Sequence, residues 1–148
     1  MLLARGFIPR LRRRGKGGII FTGSIEGLMG FPYSTMYSAT KGFIQNLGEG
    51  LWAELKPAGI DVLALCPGAT DTEALARHGL DASTMENLST PDEVAAKALE
   101  HIDKGPLYIS SDYYRCLMEQ LLSMPREDAL VAIASSAAGV SSSAKSAT

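Results

Sequence analysis

The chain has 148 residues, 46% hydrophobic and 20% charged, with a formal net charge of -2. These values fit one globular domain with a real core, and the near-neutral charge excludes any global pull toward nucleic acid or an anionic membrane. Cys66 and Cys116 form no C-x-x-C pair and read as small buried apolar residues of a reducing, cytoplasmic compartment; His78 and His101 lack ligand-spaced partners, so no metal site is expected.

Along the chain, charge is unevenly spread at first. Six of the 14 Lys/Arg (Arg5, Arg10, Arg12, Arg13, Arg14 and Lys16) fall in the first sixteen residues, and no acid precedes Glu26. Such a stretch could be a nucleic-acid arm or a presequence. The helical spacing of Leu2, Leu3, Phe7, Ile8 and Leu11 favours a helix whose last-turn cations complement the dipole before a Gly-rich turn at GKGG. GIIFTGS then reads as a short strand buried on both faces. Met36, Phe43, Ile44, Leu47, Leu51, Trp52 and Leu55 mark a long helix that KPAG ends, and IDVLALCPG is a second buried strand.

Residues 69–90 show no sustained period and read as a long loop with a short helix near TEALARHG. Thr90 caps the next helix, Pro91 opens it and acids fill its first turn. PLYIS is a third strand, and two amphipathic helices broken at Pro125 follow. The run ALVAIASSAAGV from Ala129 is too short and too serine-rich to cross a bilayer. A Ser/Ala-rich tail over 138–148 is expected to be disordered. Alternating strands and helices predict an α/β fold of about three parallel strands with flanking helices.

In such a sheet, ligands bind outside the carboxyl ends of the strands. Ser24 closes the first strand there, and PGATDT closes the second. YSATK places Tyr37 and Lys41 four apart at the start of the long helix, so they share one face. A free tyrosine has a pKa of about 10, and a neighbouring cation favours its phenolate, as acid–base catalysis requires. The spacing permits this chemistry, but a Tyr-x-x-x-Lys match alone is common by chance and also suits a surface pair. The surrounding pattern adds to it: Ser24 lies 13 residues before Tyr37, and a Pro-Gly loop ends the next strand on the same side.

With GGIIFTGSIEGLMGFPYSTMYSATKGF, GLWAELKPAGIDVLALCPGATDT and TPDEVAAKALEHIDKG in place, the sequence resembles the C-terminal half of short-chain dehydrogenase/reductase proteins. The resemblance implies a partial Rossmann-type doubly wound fold, with residues 1–137 forming the catalytic portion of one domain. It implies an NAD(P)-dependent interconversion of a carbonyl and a secondary alcohol. Tyr37 would be the general acid/base. Lys41 would favour the Tyr37 phenolate and bind the nicotinamide ribose, and Ser24 would hold the reacting oxygen. Pro67, Gly68, Thr70 and Thr72 would line the nicotinamide and pyrophosphate, with Thr70 acting through its backbone. Tyr33 is set aside as the base because Tyr37, not a lysine, stands four residues after it.

The family's T-G-x-x-x-G-x-G turn, its N-N-A-G segment and a helical asparagine have no counterpart in these residues. The chain is therefore expected to enter the family fold halfway, with the Ile19–Phe21 strand left as an open apolar edge and with NAD and NADP both admissible. The alternatives are an inactive remnant or interaction module that keeps the 35–55 helix, and a basic-arm protein that the neutral remainder disfavours. The resemblance also implies a homo-oligomer formed through that helix. In the loop over 73–90, Leu75, Leu80, Met85 and Leu88 suit a hydrophobic ketone or alcohol, or simply pack the loop onto the sheet.

Overall fold

The computed structural model describes residues 2–77 and 81–145, with side chains left out at 76–77 and 137–145. Helix α1, Leu2–Arg14, ends in Arg12, Arg13 and Arg14, and Gly15 follows at φ 67°. That left-handed residue lets its N–H return to the Leu11 carbonyl at 2.9 Å, a glycine-dependent helix stop. The sequence predicted this ending. Strand β1 (Gly17–Thr22), helix α2 (Thr35–Leu55) and strand β2 (Ile60–Cys66) come next. Gly59, at φ 69°, turns the chain into β2.

The remaining elements are α3 (Glu73–Arg77), α4 (Pro91–His101), β3 (Leu107–Ile109), α5 (Asp112–Ser123) and α6 (Arg126–Lys145). Thr90 accepts from the Glu93 N–H at 3.2 Å, and the Glu93 carboxylate accepts from the Thr90 N–H at 2.8 Å. This reciprocal pair satisfies two otherwise orphaned donors at the start of α4. Helix α6 continues to Lys145, where the sequence predicted an unstructured tail from Ala138. Alanine is the strongest helix former, so the composition is compatible with either state.

The three strands are parallel, in the order β1-β2-β3. Ile20 stands beside Leu63 and Phe21 beside Ala64 across the first pair. Side chains alternate across β2. Leu63 and Leu65 pack with Val94 and Ala98 of α4, while Ile60 and Val62 pack with Leu55, Leu51 and Trp52 of α2 and with Ile8 and Leu11 of α1. A third cluster joins Ile25 and Met29 to Met118, Leu121 and Ala129 of the last two helices.

Two expectations change. Strand β1 was expected to be buried on both faces, yet Ile19, Ile20 and Phe21 are each only half-buried. Among the described residues the strand has a partner on one side only, so its outer edge is open, as expected from the sequence. Cys116 is exposed rather than buried, because Met118 and Leu121 mark the buried face of α5 and Cys116 lies off it. Cys66 is buried as expected. Among the described residues no group of three or more His, Cys, Asp or Glu could hold a metal, and no helix is long and apolar enough to cross a membrane. His78 and Leu80 lie outside the described residues.

Candidate active site

The site grows from the carboxyl ends of β1 and β2. After Thr22 the chain turns at Gly23, whose N–H donates to the Leu65 carbonyl at 2.7 Å. Ser24 is extended and caps a one-turn 3-10 helix, Ile25–Gly27, with its Oγ accepting from the Glu26 N–H at 3.2 Å. With that lone pair engaged, the Ser24 hydroxyl proton remains a donor for another oxygen. The Ile25 N–H donates to the Pro67 carbonyl at 3.1 Å, so the two strand ends are joined beyond the sheet.

Helix α2 brings the second set of groups. Its N-terminal segment is fixed where Ser38, buried on the helix, accepts from the Phe31 N–H at 3.1 Å. Tyr37 and Lys41 follow on one face, with the Lys41 Nζ 5.4 Å from the centre of the Tyr37 ring. The same Nζ donates to the Thr22 carbonyl at 3.2 Å, which holds the ammonium against the end of β1. The short helix lies close on α2 because two glycines face each other. A Cβ at Gly27 would come within 2.7 Å of the Lys41 backbone, and one at Gly42 within 3.3 Å of the Gly27 carbonyl oxygen.

The third set comes from the loop after β2. Gly68 packs directly on Tyr114 of α5; a Cβ there would collide with the edge of the ring. Burial pushes the Tyr114 phenol up, against a backbone hydrogen bond at Ala69 that pulls the other way. Thr70 Oγ1 donates to the Gly68 carbonyl at 3.1 Å, and a parallel bridge from Thr70 to Ser89 closes the loop over 69–90 at its base.

Ser24, Tyr37, Lys41, Pro67, Gly68, Thr70 and Thr72 all line one cleft of about 1030 Å³. Every site residue predicted from the sequence is there. Tyr33 is not among the lining residues; it is 81% exposed, with φ at 64°. Leu75 and Met85 of the variable loop line the cleft, and Leu88 does not. The Glu26 Oε2 is buried beside the cleft and has no hydrogen-bond partner among the described residues.

One participant escaped the sequence reading. Gln45 is buried on α2, and its side-chain amide donates to the Ser24 carbonyl at 2.7 Å. The signal was present: an uncharged polar residue repeats the Tyr37–Lys41 interval once more along the same helix face.

The cleft offers the Lys41 ammonium and the Tyr37 hydroxyl as donors, beside the Pro67–Gly68 turn. Its size also falls at the upper end of ordinary ligand pockets, roughly 300–1,000 Å³.

Comparisons with known proteins agree on one family. A family model described as short chain dehydrogenase matches residues 1–82. Human 17-beta-hydroxysteroid dehydrogenase type 1 is 36% identical over 115 residues, which is 78% of this chain and 30% of that protein. A solved short-chain dehydrogenase from Sphingobium yanoikuyae in complex with NADPH has 35% identity and a TM-score of 0.66, covering 80% of this chain and 47% of that one. A 3-oxoacyl-[acyl-carrier protein] reductase from Brucella melitensis with bound NAD has 26% identity and a TM-score of 0.56, covering 75% and 46%. The chain thus spans less than half the length of each of these relatives. With the matched region running through β1, the Ser24 turn, α2 and β2, the chain belongs to the short-chain dehydrogenase family.

Proposed function

We propose that the cleft is the reacting end of an NAD(P)-dependent oxidoreductase that interconverts a carbonyl and a secondary alcohol. The observation that carries this reading is the meeting of Ser24, Tyr37, Lys41 and the Pro67–Thr72 turn in one cleft, although they come from three separate segments. A nicotinamide dinucleotide, when bound, supplies or accepts the hydride. Tyr37 Oη donates its proton to the substrate oxygen in reduction and recovers one from the alcohol in oxidation. The Lys41 ammonium, held on the Thr22 carbonyl, stabilises the phenolate as it forms and offers its remaining protons to ribose hydroxyls. Ser24 holds the same substrate oxygen with the hydroxyl proton that its cap leaves free.

NAD and NADP both remain admissible, as each is bound by one of the similar structures. Leu75 and Met85 give the cleft an apolar wall, which favours a hydrophobic ketone or alcohol as substrate. Met36 and Phe43 are exposed on α2, at 79% and 54%, and would bury well in a homo-oligomer formed through that helix. Two free thiols fit a reducing, cytoplasmic setting. The open β1 edge keeps a second reading in view, an inactive module that associates through this surface.

The reading is tested in a protein that carries a dinucleotide-binding half of a relative ahead of Leu2. Tyr37→Phe should lower turnover by about 10²–10⁴-fold, with cofactor binding largely retained, because only the proton donor is lost. Tyr33→Phe should cost far less. Equal losses, or a larger loss at Tyr33, would remove Tyr37 as the acid–base group.

A further inference from the structure

Three segments must stay in register for the cleft to keep its shape. They are the end of β1 with Ser24, the end of β2 with its Pro67–Gly68 turn, and the first turns of α2. Gln45 is bonded to the first two and belongs to the third. It stands four residues after Lys41 and eight after Tyr37, on the same helical face. Its Nε2 donates to the Ser24 carbonyl at 2.7 Å and to the Cys66 Sγ at 2.9 Å, so its two N–H groups reach two different strand ends.

The surroundings are shaped around this amide. A Cβ at Gly27 would lie 2.7 Å from the Gln45 Oε1, and one at Gly23 would lie 3.3 Å from its Cγ. Gly48, one turn further along α2, lets the helix sit on Ala64, where an added Cβ would meet the alanine Cβ at 3.0 Å. Burial pushes the Cys66 thiol up to about 11, which keeps the sulfur a neutral acceptor at ordinary pH. Burying an amide costs free energy unless its hydrogen bonds are made, and an apolar side chain would fill the same gap without that cost. The polar choice is explained by the bonds themselves.

We propose that Gln45 is the positioning residue of the site: one N–H to Ser24 and one to Cys66 hold the ends of β1 and β2 in register with the helix face that carries Tyr37 and Lys41. The importance of that register rests on the oxidoreductase reading of the cleft, but its test uses no turnover. It reads amide hydrogen exchange by NMR in the 148-residue chain.

Gln45→Met keeps the bulk and removes both bonds. The N–H groups of Gly23 and Ile25, which join the strand ends through the Leu65 and Pro67 carbonyls, should then exchange about tenfold faster or more, with Leu63 inside β2 unchanged. Gln45→Glu should restore part of this protection only at acid pH, where the carboxyl carries a proton to donate; a packing role would give no such pH dependence. Should Gln45→Met not fold, the unmodified chain still decides. Its buried Gln45 Nε2 protons should exchange at least about tenfold slower than those of Asn46, whose side chain is bonded but exposed. No change at Gly23 and Ile25, an equal loss of protection across the whole sheet, or Gln45 protons exchanging as fast as those of Asn46 would each overturn the proposal. Undiminished turnover in Tyr37→Phe would instead strike the oxidoreductase reading and leave these exchange results standing.

Discussion

Strand β2 runs between two other strands, with α1 and α2 on one face and α4 on the other, and every residue of it except Asp61 is buried. Strand β1, equally apolar in its centre, pairs along one edge only, and none of its residues is buried. Helix α1 beside it leaves Leu2, Leu3 and Phe7 exposed at 86%, 77% and 52%. Burial therefore follows from neighbours and not from the side chains alone. Of the groups that would do chemistry, Ser24 is buried at the end of β1, while Tyr37, on α2, is 42% exposed. The outer edge of β1 is an apolar template open to pairing with another strand.

The widest gap between the two regions should show in core truncations. Leu63→Ala removes a fully buried side chain of β2 and should cost about 2–5 kcal/mol, enough to unfold a marginal domain. Ile19→Ala, at a half-buried position of β1, should cost about 1–2 kcal/mol in the same urea titration. Equal losses would mean that β1 is covered in solution.

A pH titration sharpens the comparison at the end of β2. Burial raises the Cys66 thiol from 9.0 to about 11, against a lowering contribution from the Gln45 hydrogen bond. The folded state thus holds the proton more tightly than the unfolded one, and stability should fall as pH rises from about 9 to about 11. The loss is on the order of 2–3 kcal/mol, and Cys66→Ala should remove that part of the slope. An identical slope in the variant would show that the thiol is not buried in solution. The smallest effect is expected at α4, outside the contrast between β1 and β2. Thr90→Ala breaks the capping box and should cost about 1 kcal/mol in the same assay.

The start of helix α4 was legible to the residue, because Thr90 and Pro91 act through local backbone chemistry that the sequence displays. The candidate site was legible through the Ser24, Tyr37 and Lys41 spacing on which the family resemblance rests, and all three line the cleft. What the sequence hid was set by distant partners. Whether Ile19–Phe21 is buried depends on which strands lie alongside it, and Cys116 is exposed because only one face of α5 meets α6 and the Ile25–Met29 segment. Gln45 escaped because its role depends on two strand ends that no local pattern places beside it.

The proposed reading makes the cleft the reacting end of a dinucleotide site, in a sequence without the turn that anchors a pyrophosphate. In Rossmann-type folds a Gly-rich turn at a helix N-terminus holds the dinucleotide pyrophosphate, and no T-G-x-x-x-G-x-G run occurs in the 148 residues. Under the proposed reading, ribose contacts from Tyr37 and Lys41 would not replace it. Calorimetric titration of the chain with NADH and NADPH, run beside light scattering, tests the claim most directly. The account predicts no useful affinity for either cofactor, and association through the open β1 edge and the exposed face of α2. Tight, stoichiometric binding by a monodisperse monomer would contradict it.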